Sequence, residues 1–319
     1  MNGRLADNGG IALIIVLLAV AVIVAVTVEF NRSARSDIYD AANFRDRTGL
    51  LYAAKSGISL GRAELLADTN GFDALTEEWA EPLEEKDIND ADIRVTIEDE
   101  SGKIPVNLLL SGNAYNPDIQ QMLLRLLRLP EFKLSQEQSE EIVASLKDWM
   151  DSDNELTAGG AESDYYLRLP RPYACKNAPL DCMEELLMVK GITKDLYYGT
   201  EDKPGLVRCL TVYGDGKINI NTAPEEVLRA LANDVTPAMA EHLDDYRRSK
   251  SNDLGSPDWY RKIGSWSGIS IKADLLSARS NCFRINVAGA LGAMRAKVAC
   301  VIRRNLERKK TALLSWEVD

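Results

Sequence analysis

The first strong pattern in the chain is an uninterrupted apolar run near its N-terminus. Residues 11–28 are aliphatic apart from Thr27, and this length is about the minimum that spans a bilayer as a helix. No proline follows in residues 29–68. The pattern predicts one helix from Ile11 to about Ala67, roughly 85 Å long. Its first third would lie in lipid, and its last third would press against a globular body through an apolar stripe that contains Leu50, Ala53, Ala54, Gly57, Ile58 and Gly61.

Three later segments alternate apolar and polar residues around turn sequences, which is typical of hairpins. They are residues 93–107 with a turn at 100–102, residues 206–221 with a turn at 214–216, and residues 282–305. We interpret them as the strands of one antiparallel sheet, covered on one face by the N-terminal helix. The acidic stretch 68–90 is predicted to be an exposed loop.

An internal repeat interrupts this sheet. SGKIPVN (101–107) matches DGKININ (215–221), LLRLL (123–127) matches VLRAL (227–231), and SLKDW (145–149) matches HLDDY (242–246). Strand, helix and helix recur in the same order, with longer loops in the first copy. The predicted fold class is therefore α+β: a long N-terminal transmembrane helix packed on an antiparallel sheet, with a large inserted α-helical domain made of two repeated modules.

Composition argues against several classes of function. The 319 residues carry a net charge of -11, which argues against broad electrostatic attraction to nucleic acid. His242 is the only histidine, so serine-histidine and cysteine-histidine catalysis have little basis. The chain contains no P-loop and no dinucleotide-binding glycine motif. We therefore expect a protein that is not an enzyme.

The acidic loop, residues 148–166 (DWMDSDNELTAGGAESDYY), is the segment that points to a ligand. Calcium takes six to eight oxygen ligands from carboxylates and carbonyls on a sharply turning chain, whereas zinc and copper favour nitrogen or sulfur. The spacing departs from an EF-hand. We predict a structural calcium site, with a solvated acidic surface as the alternative. The candidate ligands are Asp151, Asp153, Glu162 and Asp164, followed by Asp148 and Glu155.

The five cysteines give a weaker signal. In an oxidising compartment Cys175 and Cys182 could close the loop CKNAPLDC, because its Asn-Ala-Pro turn brings the two ends together. Separate buried thiols are the alternative for the other three.

The start of the chain carries a family resemblance. The polar leader MNGRLADNGG, followed directly by the apolar helix, resembles the class III signal of type IV pilin-like proteins. The resemblance implies that a prepilin peptidase cuts between Gly10 and Ile11. Pilins carry a glutamate at the fifth mature position, where this chain has Ile15, and in this family that loss marks the minor pseudopilin K of the type II secretion system. An ordinary signal anchor is the alternative.

The order of the GKI-x-[VI]-N motifs, NINTAPEEVLRAL and the acidic loop also resembles the K pseudopilins over nearly the whole chain. The resemblance implies a pilin-like sheet and calcium in the acidic loop. It also implies an inner-membrane anchor with the body in the periplasm, and a position at the pseudopilus tip beside the I and J minor pseudopilins. The apolar stripe in residues 50–61 would be a candidate seam for neighbouring helices.

The resemblance also implies a division of the chain into segments. These are a leader (1–10), the membrane and periplasmic parts of the helix (11–28 and 29–67), a first part of the sheet (68–107), an inserted helical domain (108–205), a hairpin (206–221), a second helical module (222–280) and a C-terminal hairpin with tail (281–319).

Two alternative functions remain: a DNA-uptake protein and a calcium-dependent enzyme. KININTAPEEVLRAL also resembles the opening of a helix-hairpin-helix module from DNA-uptake proteins. Such modules grip phosphate with the amides of a Gly-rich hairpin, but here residues 232–240 (ANDVTPAMA) place Asp234 at that point, so we expect no nucleic-acid partner. A calcium-dependent enzyme would need an acid and a base in a cleft, and the sequence offers carboxylates without an organising motif.

Overall fold

The structure, a computed structural model, describes residues 9–88 and 90–318. Within them the helices are α1 (Gly9–Ala67), α2 (Pro117–Leu127), α3 (Gln136–Met150), α4 (Ser163–Tyr166), α5 (Lys194–Tyr198), α6 (Glu225–Ala230) and α7 (Pro237–Arg248). The strands are β1 (Leu83–Ile88), β2 (Ala91–Asp99), β3 (Ile104–Pro105), β4 (Leu110–Ser111), β5 (Ala114–Tyr115), β6 (Gly199–Thr200), β7 (Lys203–Pro204), β8 (Leu210–Thr211), β9 (Ile218–Asn219), β10 (Leu276–Ser277), β11 (Cys282–Leu291), β12 (Met294–Asn305) and β13 (Lys310–Val318).

Helix α1 is continuous over 59 residues, which confirms the predicted helix. The apolar side chains of residues 11–28 are exposed, and this part of α1 is long and apolar enough to cross a membrane. Most of the predicted leader lies outside the described residues, and the predicted cleavage point between Gly10 and Ile11 falls in the first turn of α1.

The end of α1 packs against the large sheet through the predicted apolar stripe. Leu50, Ala53, Ala54 and Ile58 are buried there. Glycines 57 and 61 let the helix approach β2 and β11 closely. The prediction that this stripe contacts the body is confirmed, whereas its use as an exposed seam for other subunits is wrong, because the chain's own sheet covers it.

The large sheet has the order β1-β2-β11-β12-β13, with every neighbouring pair antiparallel. Its centre is the predicted hairpin of residues 282–305, in which β11 and β12 pair from Cys282 opposite Arg303 to Leu291 opposite Met294. Burial alternates along β2, so one face of the sheet lies under α1 and the other faces outward.

The other two predicted hairpins are wrong. Strand β2 pairs with β1 and β11, whereas β3, just after the turn at 100–102, pairs in parallel with β8. The turn at Gly214 and Gly216 forms with positive φ angles, but β8 and β9 on either side of it pair with β3 and β10. The segment predicted as a loop contains β1, and its residue 89 lies outside the described residues. Alternation located β2, β3, β8 and β9 but missed β1, and distant segments decided which strands pair.

The two modules of the repeat are closed in the same way. In the first copy Ile104 pairs with Leu210 in a short parallel ladder, and in the second Ile218 pairs with Leu276. The asparagine that ends the GKI motif joins each ladder to the next loop: Asn107 bonds to the backbone of Leu180, and Asn221 bonds to the carbonyl of Leu254. The predicted order of strand, helix and helix is confirmed, and each copy gains a closing strand.

The close approach of α1 to the sheet predicts opposite effects for two matched substitutions. A Cβ at position 57 would lie 2.7 Å from Val287 Cγ1, whereas a Cβ at position 49 would meet nothing within 4 Å. Gly57→Ala should destabilise the protein by about 1 kcal/mol or more through overpacking. Gly49→Ala should stabilise it by about 0.5–1 kcal/mol, because alanine favours a helix. Chemical denaturation of the solubilised full chain measures both, and equal effects would contradict the predicted close contact.

Candidate metal centre

Three carboxylates meet where the acidic loop leaves α3 and enters α4. Helix α3 begins with a capping box between Ser135 and Gln138 and ends at Asp151 as its C-cap residue. Glu162 is the N-cap residue of α4. The loop between these helix ends folds back so that carboxylate oxygens of Asp151, Asp153 and Glu162 lie within 4.8 Å of one another. We call these three residues the carboxylate cluster.

Two members of the carboxylate cluster carry a buried oxygen that receives no hydrogen bond from the described residues. Asp151 Oδ2 accepts a bond from Lys147 Nζ at 2.8 Å, but Asp151 Oδ1 has no donor. Glu162 Oε2 accepts from the Ser163 amide at 3.3 Å, and Glu162 Oε1 has no donor. A buried acceptor left unpaired costs about 1–3 kcal/mol. The arrangement therefore suits a cation that takes hard oxygen ligands.

Two asparagines outside the predicted ligand set complete the surroundings. Asn113, in the β4–β5 hairpin, donates to Asp153 Oδ2 at 2.6 Å. Asn177 donates to the Asp153 carbonyl oxygen at 2.6 Å, while its own Oδ1 is buried without a donor. Its φ of 50° is left-handed, a conformation that asparagine tolerates better than most residues. A tolerant residue in a Pro-containing turn was the only sequence signal for Asn177.

The other predicted ligands lie in different positions. Asp148 is buried beneath the loop and accepts from the Thr157 amide at 3.2 Å. A Cβ at position 160 would lie 2.1 Å from Asp148 Oδ2, so this contact requires glycine there. Glu155 and Asp164 are exposed, and neither belongs to the carboxylate cluster.

The electrostatics of the cluster favour added positive charge. Burial raises the pKa of Glu162, and the charges of Asp148, Asp151 and Asp153 raise it further. Burial also raises the pKa of Asp148. Burial opposes the charge on Lys147, but its bond to Asp151 prevails and raises the pKa of this amine. One ammonium group thus offsets only part of the negative charge.

The predicted disulfide does not form in the structure, in which all five cysteines are free thiols. Cys175 Sγ instead donates to the carbonyl oxygen of Asp148 at 3.2 Å, beside the acidic loop. Burial raises the pKa of Cys175 to about 11, so this thiol stays protonated at neutral pH.

A second acidic group lies at the junction between the sheet and the helical insertion, and an arginine already compensates it. Asp68, Asp73 and Glu77 come close enough to hold a cation. However, the buried Arg304 guanidinium forms ion pairs with Asp68 at 2.9 Å and with Asp73. We call Asp68, Asp73, Asp99, Ser280 and Arg304 the junction network.

The junction network joins several elements. Ser280 donates to Asp99 from its hydroxyl and to Asp73 from its amide, and Arg304 Nη1 donates to the Leu65 carbonyl oxygen at the end of α1. Burial raises the pKa of Asp73 from 3.8 to about 7, although Arg304 lowers it. Burial also raises the pKa of Asp99.

Comparison with known proteins gives the family. The family model of "Type II secretion system (T2SS), protein K" matches residues 102–200, a span that contains the whole carboxylate cluster. The type II secretion system protein K of Pseudomonas aeruginosa is 30% identical over 254 residues, covering 75% of this chain and 72% of that protein. The chain belongs to the protein K family of the type II secretion system. Its members in Klebsiella pneumoniae and Pectobacterium carotovorum are 29% and 27% identical and cover 62% and 59% of this chain, and 61% and 60% of their own lengths.

The fold agrees with this family. A chain in the crystal structure of the GspK-GspI-GspJ complex from enterotoxigenic Escherichia coli superposes with a TM-score of 0.73. The match covers 88% of this chain and 99% of that chain at 19% identity. The predicted fold class, a long apolar helix on an antiparallel sheet with a helical insertion, is thereby confirmed. The predicted family is confirmed by the relative in Pseudomonas aeruginosa.

Proposed function

We propose that this chain is the minor pseudopilin at the tip of the type II secretion pseudopilus, where it initiates or caps the fibre that drives protein export. The observation that carries the proposal is the position of the helical insertion. Helix α1 ends at Ala67, β2 ends at Asp99 and β11 begins at Cys282. Contacts through Arg304 and Ser280 hold these ends together.

The insertion emerges from the pilin-like body at the end where α1 stops at Ala67. This end is opposite to the apolar start of α1. Residues 100–281 emerge between β2 and β11 and form their own large core. A subunit stacked above α1 would meet this insertion. Ile15 supports the same position, because a terminal subunit has no neighbour whose amine would need a glutamate in the membrane.

We propose that the carboxylate cluster binds calcium, with Asp151, Asp153 and Glu162 as ligands and Asp148 as a further candidate. Calcium would supply positive charge to oxygens that otherwise repel each other at close range. Its role would be structural, since it would join the end of α3 to the start of α4. Glu155 and Asp164 lie outside the cluster and are left out of this proposed set.

The remaining parts of the proposal follow the family. The chain would cross the bacterial inner membrane once through residues 11–28, with its body in the periplasm, after a prepilin peptidase removes residues 1–10. Its partners would be the I and J minor pseudopilins of the same system, as in the solved complex named above. It would act as a structural subunit without catalysis, and its relatives lend no support to DNA uptake.

One preparation tests both assembly and processing. The full chain with a C-terminal tag, co-expressed with I, J and the prepilin peptidase of its system, should co-purify with I and J from solubilised membranes. N-terminal sequencing of the same sample should begin at Ile11. A Gly10→Val control should keep Met1, because a β-branched side chain would replace the glycine that the peptidase needs.

Two outcomes would contradict these proposals. Wild-type chain that begins at Met1, or beyond Val28, would refute the processed anchor. Wild-type chain that is correctly processed but brings down neither I nor J would refute the tip assembly.

A further inference from the structure

Lys147 places its ammonium group inside the carboxylate cluster. It lies one helical turn before Asp151 on α3, and its Nζ donates to Asp151 Oδ2 at 2.8 Å and to Thr157 Oγ1 at 3.0 Å. The side chain of Lys147 is 17% exposed, and that of Asp151 is fully buried. Among residues 9–88 and 90–318, Lys147 is the only lysine or arginine with a nitrogen within 4.0 Å of a carboxylate oxygen of the cluster. An internal cation therefore already occupies one side of the predicted site.

This ammonium group satisfies only part of the cluster. Asp151 Oδ1 and Glu162 Oε1 are buried and receive no hydrogen bond from the described residues. An ammonium group carries one charge and three donors, whereas calcium carries two charges and takes six to eight oxygen ligands. Both cations would use the buried Asp151, and like charges held close together in a buried site repel each other strongly. Calcium binding and the contact of Lys147 with Asp151 therefore oppose each other.

Lys147 has an alternative position close by. A lysine side chain is a flexible stem of four carbons, and the partial exposure of Lys147 gives its ammonium group a path to solvent. The centre of the Tyr115 ring in β5 lies 6.0 Å from Lys147 Nζ. The face of this ring can hold the ammonium group after it leaves Asp151. The contact can therefore open without a change in the course of α3.

We propose that Lys147 is an internal counter-ion that competes with calcium for Asp151 and thereby sets the calcium affinity of the carboxylate cluster. This rests on the calcium site in the proposed function. Without calcium, Lys147 neutralises Asp151 and ties it to Thr157 in the acidic loop. When calcium binds, Lys147 releases Asp151, and its ammonium group turns towards Tyr115 and solvent.

The competition has two consequences for the acidic loop. Breaking the contact between Lys147 and Asp151 uses part of the binding free energy, so calcium binds more weakly than it would to the three carboxylates alone. Calcium sites of extracellular modules have dissociation constants of about 10⁻⁴–10⁻³ M, and an internal competitor shifts a site towards that range. Because Asp151 regains its counter-ion when calcium leaves, the connection between α3 and α4 stays folded at low calcium.

Lys190 offers a matched control in the same loop. Its Nζ donates to the carbonyl oxygens of two glycines of the acidic loop at 3.1 and 3.3 Å, and it lies 5.6 Å from the centre of the Tyr165 ring. Within the described part of the chain, no carboxylate oxygen lies within 4.0 Å of Lys190 Nζ. Lys190→Met and Lys147→Met thus remove the same charge beside the acidic loop, but only Lys147→Met removes a competitor for Asp151.

Calorimetric titration of the solubilised full chain with calcium chloride, after chelation and dialysis, measures the competition. Lys147→Met should lower the dissociation constant for calcium at least about tenfold, because a charge in contact with a ligand is removed. Lys190→Met should change it less than about threefold, because solvent and salt screen a more distant charge. Lys147→Arg keeps the charge and should bind calcium like the wild type. Lys147→Gln keeps a hydrogen-bond donor without the charge and should bind as tightly as Lys147→Met.

Melting temperatures provide a second measurement. Without calcium, Lys147→Met should melt below the wild type, because Asp151 loses its counter-ion. In saturating calcium the two proteins should melt at nearly the same temperature, because Lys147 no longer contacts Asp151 in the wild type. Lys190→Met should differ from the wild type by the same amount with and without calcium.

Three results would overturn the competition while leaving the calcium site in place. These are an unchanged or higher dissociation constant for Lys147→Met, an equal gain in affinity for Lys190→Met, and failure of both Lys147→Met and Lys147→Gln to fold even in calcium, which would make Lys147 a purely structural residue. A wild-type chain that binds no calcium in the titration would overturn the proposed calcium site and the competition together.

Discussion

Replacing Arg304 by methionine is expected to destabilise the protein by about 3–5 kcal/mol, the usual effect of removing one partner from a buried ion pair. The side chain of Arg304 is only 2% exposed. It bonds Asp68 and Asp73 and donates to the carbonyl oxygens of Leu65 and Ser280. Without it, buried carboxylates at the junction of α1, the sheet and the insertion would have no counter-charge.

The effect of Arg304→Met should depend on pH. Burial raises the pKa of Asp73 to about 7 in the folded protein, so wild-type stability from this group is greatest below about pH 4 and falls as the pH rises to about 7. Arg304 lowers this pKa, so the variant's Asp73 would titrate still higher. The deficit relative to wild type should therefore be larger at pH 8 than at pH 5, where the carboxyl is protonated in both folded proteins.

Arg303→Met is the matched control, because the neighbouring Arg303 is exposed and the change in charge is identical. It should change stability by about 0.5 kcal/mol or less. Urea denaturation of both variants at the two pH values measures these effects. Equal losses for the two variants would show that the junction network contributes no buried ion pair.

Chelating calcium is expected to lower the melting temperature of the solubilised full chain by about 5–10 °C. Free calcium at 100 times its dissociation constant stabilises a folded protein by about 2.7 kcal/mol. Each kcal/mol shifts the melting temperature of a domain of this size by about 2–4 °C. The physical reason is that calcium would bind the buried oxygens of Asp151 and Glu162 that lack donors.

Two substitutions separate the carboxylate cluster from the rest of the acidic loop. Glu162→Gln should abolish most of the calcium-dependent shift, whereas Asp164→Asn should retain it, because Asp164 is exposed outside the cluster. Magnesium at the same concentration should give a smaller shift, since it demands a tighter octahedral site. A melting temperature that calcium and chelator leave unchanged would mean that the loop is a solvated acidic surface.

The longest elements of this protein followed from local patterns, whereas β1 formed in a segment predicted as a loop. An apolar run without proline is enough to predict α1, since helix formation depends on neighbours along the chain. The hairpin of residues 282–305 and the order of the repeat followed for the same reason. The acidic loop was visible as an excess of carboxylates between Asp148 and Asp164.

Only part of the carboxylate cluster and its surroundings could be predicted from the sequence. Asp151, Asp153 and Glu162 were among the predicted ligands, but their separation from Asp164 and Glu155 depends on which way each residue points at the two helix ends. Asn113 and Asn177 come from distant loops, and no local pattern marks a residue that a fold will bring beside a carboxylate.

The sequence by itself determined where α1 and the strands β2, β11 and β12 form, because periodicity and turn residues act over a few positions. Only the tertiary structure decided which strands pair: β3 with β8, β9 with β10, and β13 at the edge of the large sheet. It also decided that Leu50 and Ile58 face the chain's own sheet while Phe44 and Trp316 stay exposed. These choices depend on closing long loops and burying distant surfaces together, and no short window of sequence contains that information.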